Sequence, residues 1–253
     1  MTEVDSIAPA LALTVPVVVA VLVIASARHV NVRDSLSIAG AVVTFVVVAY
    51  LLPKTISGEI PETTLFELAP GISIAFRADP AAMVFALLAA FLWVPTAVYS
   101  IGYMRGLNEA NQTRFYTAFA LSIAATLGVA FSANLLTFVL FYELLTLMTY
   151  PLVVHRQTTD AIMAGRKYLA YTLSGGLALI AATVWIISLD IDSTFLPGGI
   201  FGAGTDSTTS WGIFILLAFG VGVKAAVMPF HSWLPNAMVA PTPVSALLHA
   251  VAV

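Results

Sequence analysis

The 253-residue sequence predicts an all-α fold, a polytopic transmembrane helix bundle. Three observations carry that expectation. Charged residues make up only 9% of the chain and hydrophobic ones 60%, whereas a soluble domain is about 25% charged. The apolar residues fall in blocks of about 18 or more, the length a helix needs to cross a hydrocarbon core ~30 Å thick. The basic residues between the blocks collect on alternate loops, as membrane topology demands.

Taken in order, the expected spans are residues 7–27, 35–52, 80–103, 113–131, 134–154, 165–189 and 211–229, with an eighth from 241. The eighth reaches residue 253 without a polar flank. Thirteen helical residues rise roughly 20 Å, short of the ~30 Å core. The sequence is therefore expected to stop inside a membrane helix, as the N-terminal part of a longer protein. The first block reads as a retained span, because residues 1–6 hold Glu3 and Asp5 and no basic residue, and a cleavable signal begins with a basic region.

Loops on one side hold Arg28, Arg33, Arg105, Arg114, Arg156, Arg166 and Lys167, and loops on the other only Lys54 and Arg77. Basic loops stay cytoplasmic, so the N-terminus is expected outside. Two outer segments are longer. Within 63–79, Ile72, Ile74 and Phe76 alternate after Ala69-Pro70-Gly71, which suggests a small hairpin. Residues 190–210 are acidic and glycine-rich, and read as a solvated loop. A net charge of −3 with no basic run argues against a nucleic-acid partner. The absence of cysteine removes disulfides, thiolate zinc sites and cysteine-held iron–sulfur clusters. No metal or cofactor is expected in this chain, and no redox or hydrolytic site, so any redox group would sit on a partner.

Chemistry concentrates where charge interrupts an apolar run. Glu143 stands midway along the fifth span, where a carboxylate costs a few kcal/mol to insert. Its bland role would be a helix–helix hydrogen bond, its sharper one proton transfer. Lys224 lies in Gly220-Val221-Gly222-Val223-Lys224-Ala225-Ala226. It could snorkel toward an interface, but Pro229 and then Pro235 break the helix just beyond. Broken backbone at membrane depth survives only against protein or a wet cavity, so Lys224 is expected to face protein or water. His249, six residues after Pro243, titrates near neutral pH and is either a proton relay or a ring satisfied by a carbonyl. His231, next to the break, lines a cavity or caps exposed backbone. Arg166 and Lys167 open the sixth span as part of the basic belt, and Lys167 could also feed a proton path. His29 and His155 are expected at solvated loop edges. Ser174-Gly175-Gly176 reads as close helix packing.

The stretch Lys-Ala-Ala-Val-Met-Pro-Phe-His-Ser-Trp-Leu-Pro-Asn-Ala-Met-Val-Ala-Pro-Thr-Pro-Val-Ser-Ala-Leu-Leu-His, residues 224–249, closely resembles the broken-helix segment of the antiporter-like membrane subunits. These occur in complex I, in Mrp-type multisubunit cation/proton antiporters and in membrane-bound hydrogenases. Phe141-Tyr142-Glu143 resembles that family's helix with a buried glutamate, and the similarity covers roughly residues 75 to 253. Tyr142 and Thr149-Tyr150-Pro151-Leu152 look closer to the Mrp-like and "subunit 5" relatives. The resemblance implies about 14 helices with two inverted five-helix repeats. Of these about eight would lie here: residues 1–112 as helices one to three with an outer hairpin, and 113–253 as the first repeat with its last helix truncated. It implies that Glu143 pairs with Lys224 and that His249 passes protons onward to a second half.

The function so implied is translocation of protons, or of sodium ions, through a Glu–Lys–His relay. The chain would be a multi-pass subunit in a prokaryotic inner membrane, with other membrane subunits of an antiporter or a complex I-type NADH:quinone oxidoreductase as partners. A stand-alone secondary transporter of a small solute, which also uses broken helices at the midplane, is the alternative. A purely structural scaffold is the third reading, and it would carry Glu143 and Lys224 as expensive passengers.

Overall fold

The computed structural model describes residues 2–69, 72–195, 198–201 and 206–252. Seven helices among them are long and apolar enough to cross a membrane: α1 (Ala8–Ala25), α2 (Val30–Ile56), α3 (Pro80–Gly106), α4 (Gln112–Ala130), α5 (Leu135–Val153), α6 (Thr159–Ser188) and α7 (Ser207–Lys224). A broken segment follows. It consists of a 3-10 turn (Phe230–Ser232), α8 (Trp233–Ala237), α9 (Thr242–Leu247) and a π turn (Leu248–Ala252). The polytopic bundle is as expected, and the eighth span is represented by α9 and the π turn.

Several helices start where a side chain satisfies their first free N–H groups. Asp79 accepts from Ala82 N at 2.8 Å ahead of α3, and Asn134 from Thr137 N at 2.8 Å ahead of α5. Thr158 caps α6 and Asp206 caps α7. Three ends differ from expectation by five residues or more. Helix α2 begins at Val30 and not at 35 because Arg33 and Asp34 neutralise one another inside its first turn, at 2.7 Å and almost fully buried. Arg105 closes on the same carboxylate at 2.5 Å. Helix α6 begins at Thr159, since Thr158 caps it and Asp160 suits the positive end of the helix dipole. Helix α7 stops at Lys224, five residues before 229.

The expected hairpin is present as β2 (Glu59–Ala69) and β3 (Ile72–Arg77), antiparallel with Thr63 opposite Phe76. Pro70 and Gly71 of its turn lie outside the described residues. A third strand, β1 (Thr2–Asp5), runs parallel to β2 with Thr2 opposite Glu59. Sequence pattern gave no sign of it, because four residues of mixed polarity carry no measurable alternation. Arg77 fastens this sheet. Its guanidinium pairs with Glu3 at 2.7 Å and Glu62 at 3.0 Å, and donates to the Phe195 carbonyl at 3.3 Å. Asn134 Nδ2 donates to Ser73 O at 2.9 Å, and Leu135 N to Ser193 O at 3.0 Å, which ties two more loops to the same end.

At the opposite end Arg114 donates to the His155 carbonyl at 2.6 Å, and Arg156 pairs with Glu109 at 2.7 Å. The loops therefore alternate between a sheet end and a basic end. His155 differs from the expectation of a solvated ring. It is buried edge-on against Phe115. Burial, then the positive charge of Arg114, holds its pKa below the ordinary 6.5.

Helix α4 is the inner helix, with 67% of its span buried, against 22% for α7. Its Ala-, Ser- and Thr-rich sequence allows neighbours to approach closely, which matters where lipid tails leave packing as the main driving force. The outward face of α7 leaves Trp211, Phe214 and Ile215 exposed.

Candidate functional site

The site lies where α5, α6 and α7 meet. Glycine makes that meeting possible: a Cβ at Gly175 on α6 would come within 3.0 Å of the Gly220 carbonyl and of Val223 Cβ on α7. Gly220 faces the same seam, where a Cβ would lie 2.7 Å from the Gly175 carbonyl. Tyr142 on α5 bridges to α7, its hydroxyl donating to Gly220 O at 3.0 Å.

Lys224, the last residue of α7, is 4% exposed. It does not snorkel. Its Nζ donates to the backbone carbonyl of Tyr142 at 2.6 Å and stands 3.7 Å from the centre of the Tyr142 ring. A carbonyl and an aromatic face are both attractive to an ammonium, the latter by about 2 kcal/mol when desolvated. Glu143 is the next residue along α5, and its carboxylate rests on Gly176 of α6. Its Oε1 is buried without a hydrogen-bond partner. Among the described residues no ion pair within 4.0 Å joins Glu143 and Lys224, although each feels the other's charge.

Beyond Lys224 the chain leaves helical geometry. Ala225 N bonds back to Val221 O at 2.9 Å, and Ala226 takes a left-handed φ of 51°. Pro229 lies in this non-helical stretch, whereas Pro235 sits inside α8. Near the start of a helix a proline's missing N–H costs nothing. The Val223 carbonyl, which accepts from Ala226 N at 3.2 Å, also accepts from Trp233 Nε1 at 2.8 Å, and the buried Trp233 ring packs on Tyr168 at 5.3 Å. Tyr168 in turn shares a 2.6 Å hydrogen bond with Thr149 on α5. Ser232 donates to the Tyr171 hydroxyl at 2.8 Å. These hydrogen bonds satisfy part of the broken backbone within protein, as membrane depth requires.

The remaining candidates stand apart from this cluster among the described residues. His231 is exposed on the 3-10 turn. His249 is exposed on the π turn, where its Nδ1–H donates to Ser245 O at 2.8 Å. Lys167 is half-buried on α6, one residue before Tyr168. Sequence reading missed Tyr142, Tyr168 and Trp233 as partners of the site, since an aromatic in an apolar run looks like packing. It also read Gly176 as packing alone. No group of three or more acidic, histidine or cysteine side chains that could hold a metal ion occurs among the described residues.

Comparison with known proteins agrees with this arrangement. A family profile described as "NADH:quinone oxidoreductase/Mrp antiporter, TM" matches residues 132–253, and "NADH-Ubiquinone oxidoreductase (complex I), chain 5 N-terminus" matches residues 69–116. Na(+)/H(+) antiporter subunit A1 of Staphylococcus aureus is 33% identical over 82% of this chain, and that of Staphylococcus haemolyticus 34% over 82%. The chain spans about a quarter of those relatives, 26% of each. Its fold is shared with a chain of the archaeal membrane-bound sulfane sulfur reductase, a respiratory membrane complex, at a TM-score of 0.84 and 18% identity. That match covers 98% of this chain and 51% of the other. A chain of the Mrp complex from Dietzia sp. DQ12-45-1b gives a TM-score of 0.80 at 21% identity, covering 98% and 46%. The burial of a lysine beside a glutamate at a broken helix thus occurs in a chain that belongs to the NADH:quinone oxidoreductase/Mrp antiporter family of membrane subunits.

Proposed function

We propose that this chain carries protons, or sodium ions in exchange for them, as a membrane subunit of a multisubunit cation/proton antiporter. The observation that supports it most is the placing of two ionisable groups, Glu143 on α5 and the buried Lys224 at the end of α7, next to broken backbone. Intramembrane charges are costly and are usually retained for function. The likeness to Na(+)/H(+) antiporter subunit A1 favours the antiporter over a complex I-type assembly.

In the open arrangement the Lys224 Nζ rests on the Tyr142 carbonyl, and the lysine holds its proton most tightly when the pair is closed. If the Glu143 carboxylate swings onto it, a closed pair at about 4 Å and an effective dielectric near 20 is worth about 4 kcal/mol before desolvation. That is roughly three pK units of change in the lysine's hold on its proton, enough to switch between keeping and releasing it. His249 receives the proton when the pair opens and passes it toward the part of the longer protein that follows. His231 and Lys167 flank the route on its aqueous side. The basic end, holding Arg28, Arg114 and Arg156, is cytoplasmic, with the N-terminus outside. Residues 1–112 are the leading helices, and 113–253 belong to the first antiporter-like repeat.

The test is transport in membrane vesicles carrying the full-length protein with its partner subunits. Glu143→Gln and Lys224→Ala should each reduce proton-coupled cation transport to background while the complex still assembles. Normal transport in both variants would end this reading. A stand-alone solute carrier instead predicts activity from the purified subunit without partners.

A further inference from the structure

Two neighbouring glycines on α6 meet two different kinds of neighbour. Gly175 abuts backbone oxygen and a β-branched Cβ on α7, atoms that cannot move without shifting a helix. Its role is helix packing. Gly176 faces α5, and the three atoms nearest to a Cβ there all belong to one side chain, Glu143. The Cβ would coincide with Oε1 and Cδ and come within 2.9 Å of Oε2. The carboxylate occupies the space an ordinary residue would fill. Glycine inside a helix is less stable than alanine, and Gly176 sits well within the 30-residue α6. The end of a glutamate side chain is flexible, so alanine at 176 would displace the acid without prying α5 from α6. Packing alone therefore does not require glycine at 176. The position of the carboxylate does.

We infer that Gly176 is a positioning residue for Glu143, a notch that fixes where the acid sits relative to Lys224. This rests on the reading of Glu143 and Lys224 as the transporting pair. With Oε1 partnerless in the notch, the acid is free to change partner, while the Gly176 backbone limits how far it can retreat from the seam. A methyl group at 176 would push the carboxylate out of the notch and alter both its surroundings and its approach to the lysine.

The experiment compares Gly176→Ala, Gly175→Ala, Glu143→Gln and the double variant Gly176→Ala/Glu143→Asp in the full-length complex. Assembly, transport and the pH profile of transport are measured for each. Gly176→Ala should assemble as well as wild type yet transport on the order of 10- to 100-fold more slowly, the scale expected of a catalytic group misplaced by about 1 Å. Its pH profile should shift. Gly175→Ala should instead lower the amount of assembled complex. Aspartate, one methylene shorter, leaves room for the methyl group, so the double variant should transport better than Gly176→Ala alone. Wild-type rate and pH profile in Gly176→Ala would overturn the inference. If Gly176→Ala assembles poorly, the double variant decides: no recovery of rate per assembled complex would overturn it equally. Loss of transport in Glu143→Gln with no effect of Gly176→Ala would refute only the notch, whereas normal transport in Glu143→Gln would refute the underlying pair.

Discussion

Asp34 and Arg33 show how single charges are kept in a nearly charge-free chain. Both side chains are about 5% exposed, and Arg105, 41% exposed, completes the group from α3. Removing one member of a buried pair leaves the other charge uncompensated, which costs about 3–5 kcal/mol. Asp34→Ala should lose stability on that scale, while Arg105→Ala should lose clearly less because water screens it. Unfolding of the detergent-solubilised protein in denaturant measures both, and equal effects would show that Arg33 does not depend on Asp34. Glu143 and Lys224 were legible in the sequence for the same reason, as charges inside apolar runs. Tyr142 and Gly176 were not, since their roles depend on what approaches from another helix. His155 was misread because its ring is buried by Phe115 of α4, forty residues away in the chain.

Among the elements, the break after α7 was visible from Pro229, but its place was not. The helix already ends at Lys224, and the turn is made by Ala226 at a φ of 51°. A β-branched residue is strongly disfavoured in that region. Ala226→Val should therefore destabilise the protein by about 1–2 kcal/mol and loosen the Trp233–Val223 hydrogen bond at the break. Faster quenching and a red-shifted Trp emission are expected; unchanged quenching and emission would be the wrong result. Helix existence was readable throughout from length and hydropathy. Helix starts at Val30 and Thr159 were not, because an internal ion pair and a threonine cap let α2 and α6 absorb residues that look like loop. Strand β1 was hidden, since its partner β2 lies more than fifty residues ahead and the Arg77 bridges are tertiary.

For the whole molecule, the alternation of basic loops gave the order of spans, and the structure joins those loops into two separate ends. The basic end carries a pH-dependent element. His155 is held below its ordinary pKa of 6.5 by burial and Arg114, with Glu109 and Arg156 beside it. The unfolded chain takes up the proton first as pH falls, so His155 favours the folded state fully above about 6.5 and progressively less below it. Melting between pH 7.5 and 5.5 should fall for the wild type and fall less for His155→Phe, which keeps the ring contact. The slope ascribed to this residue is at most about 1.4 kcal/mol per pH unit. An unchanged difference would place the acid sensitivity elsewhere.

Whether Glu143 and Lys224 respond to one another decides the proposed mechanism, and infrared difference spectroscopy of the full-length complex after a pH step reads it directly. The carboxyl stretch lost in Glu143→Gln identifies the acid, and that band should move in frequency and in titration midpoint when Lys224 is replaced by Gln. A Glu143 band indifferent to residue 224 would mean that the two charges act separately, and that no proton is handed between them.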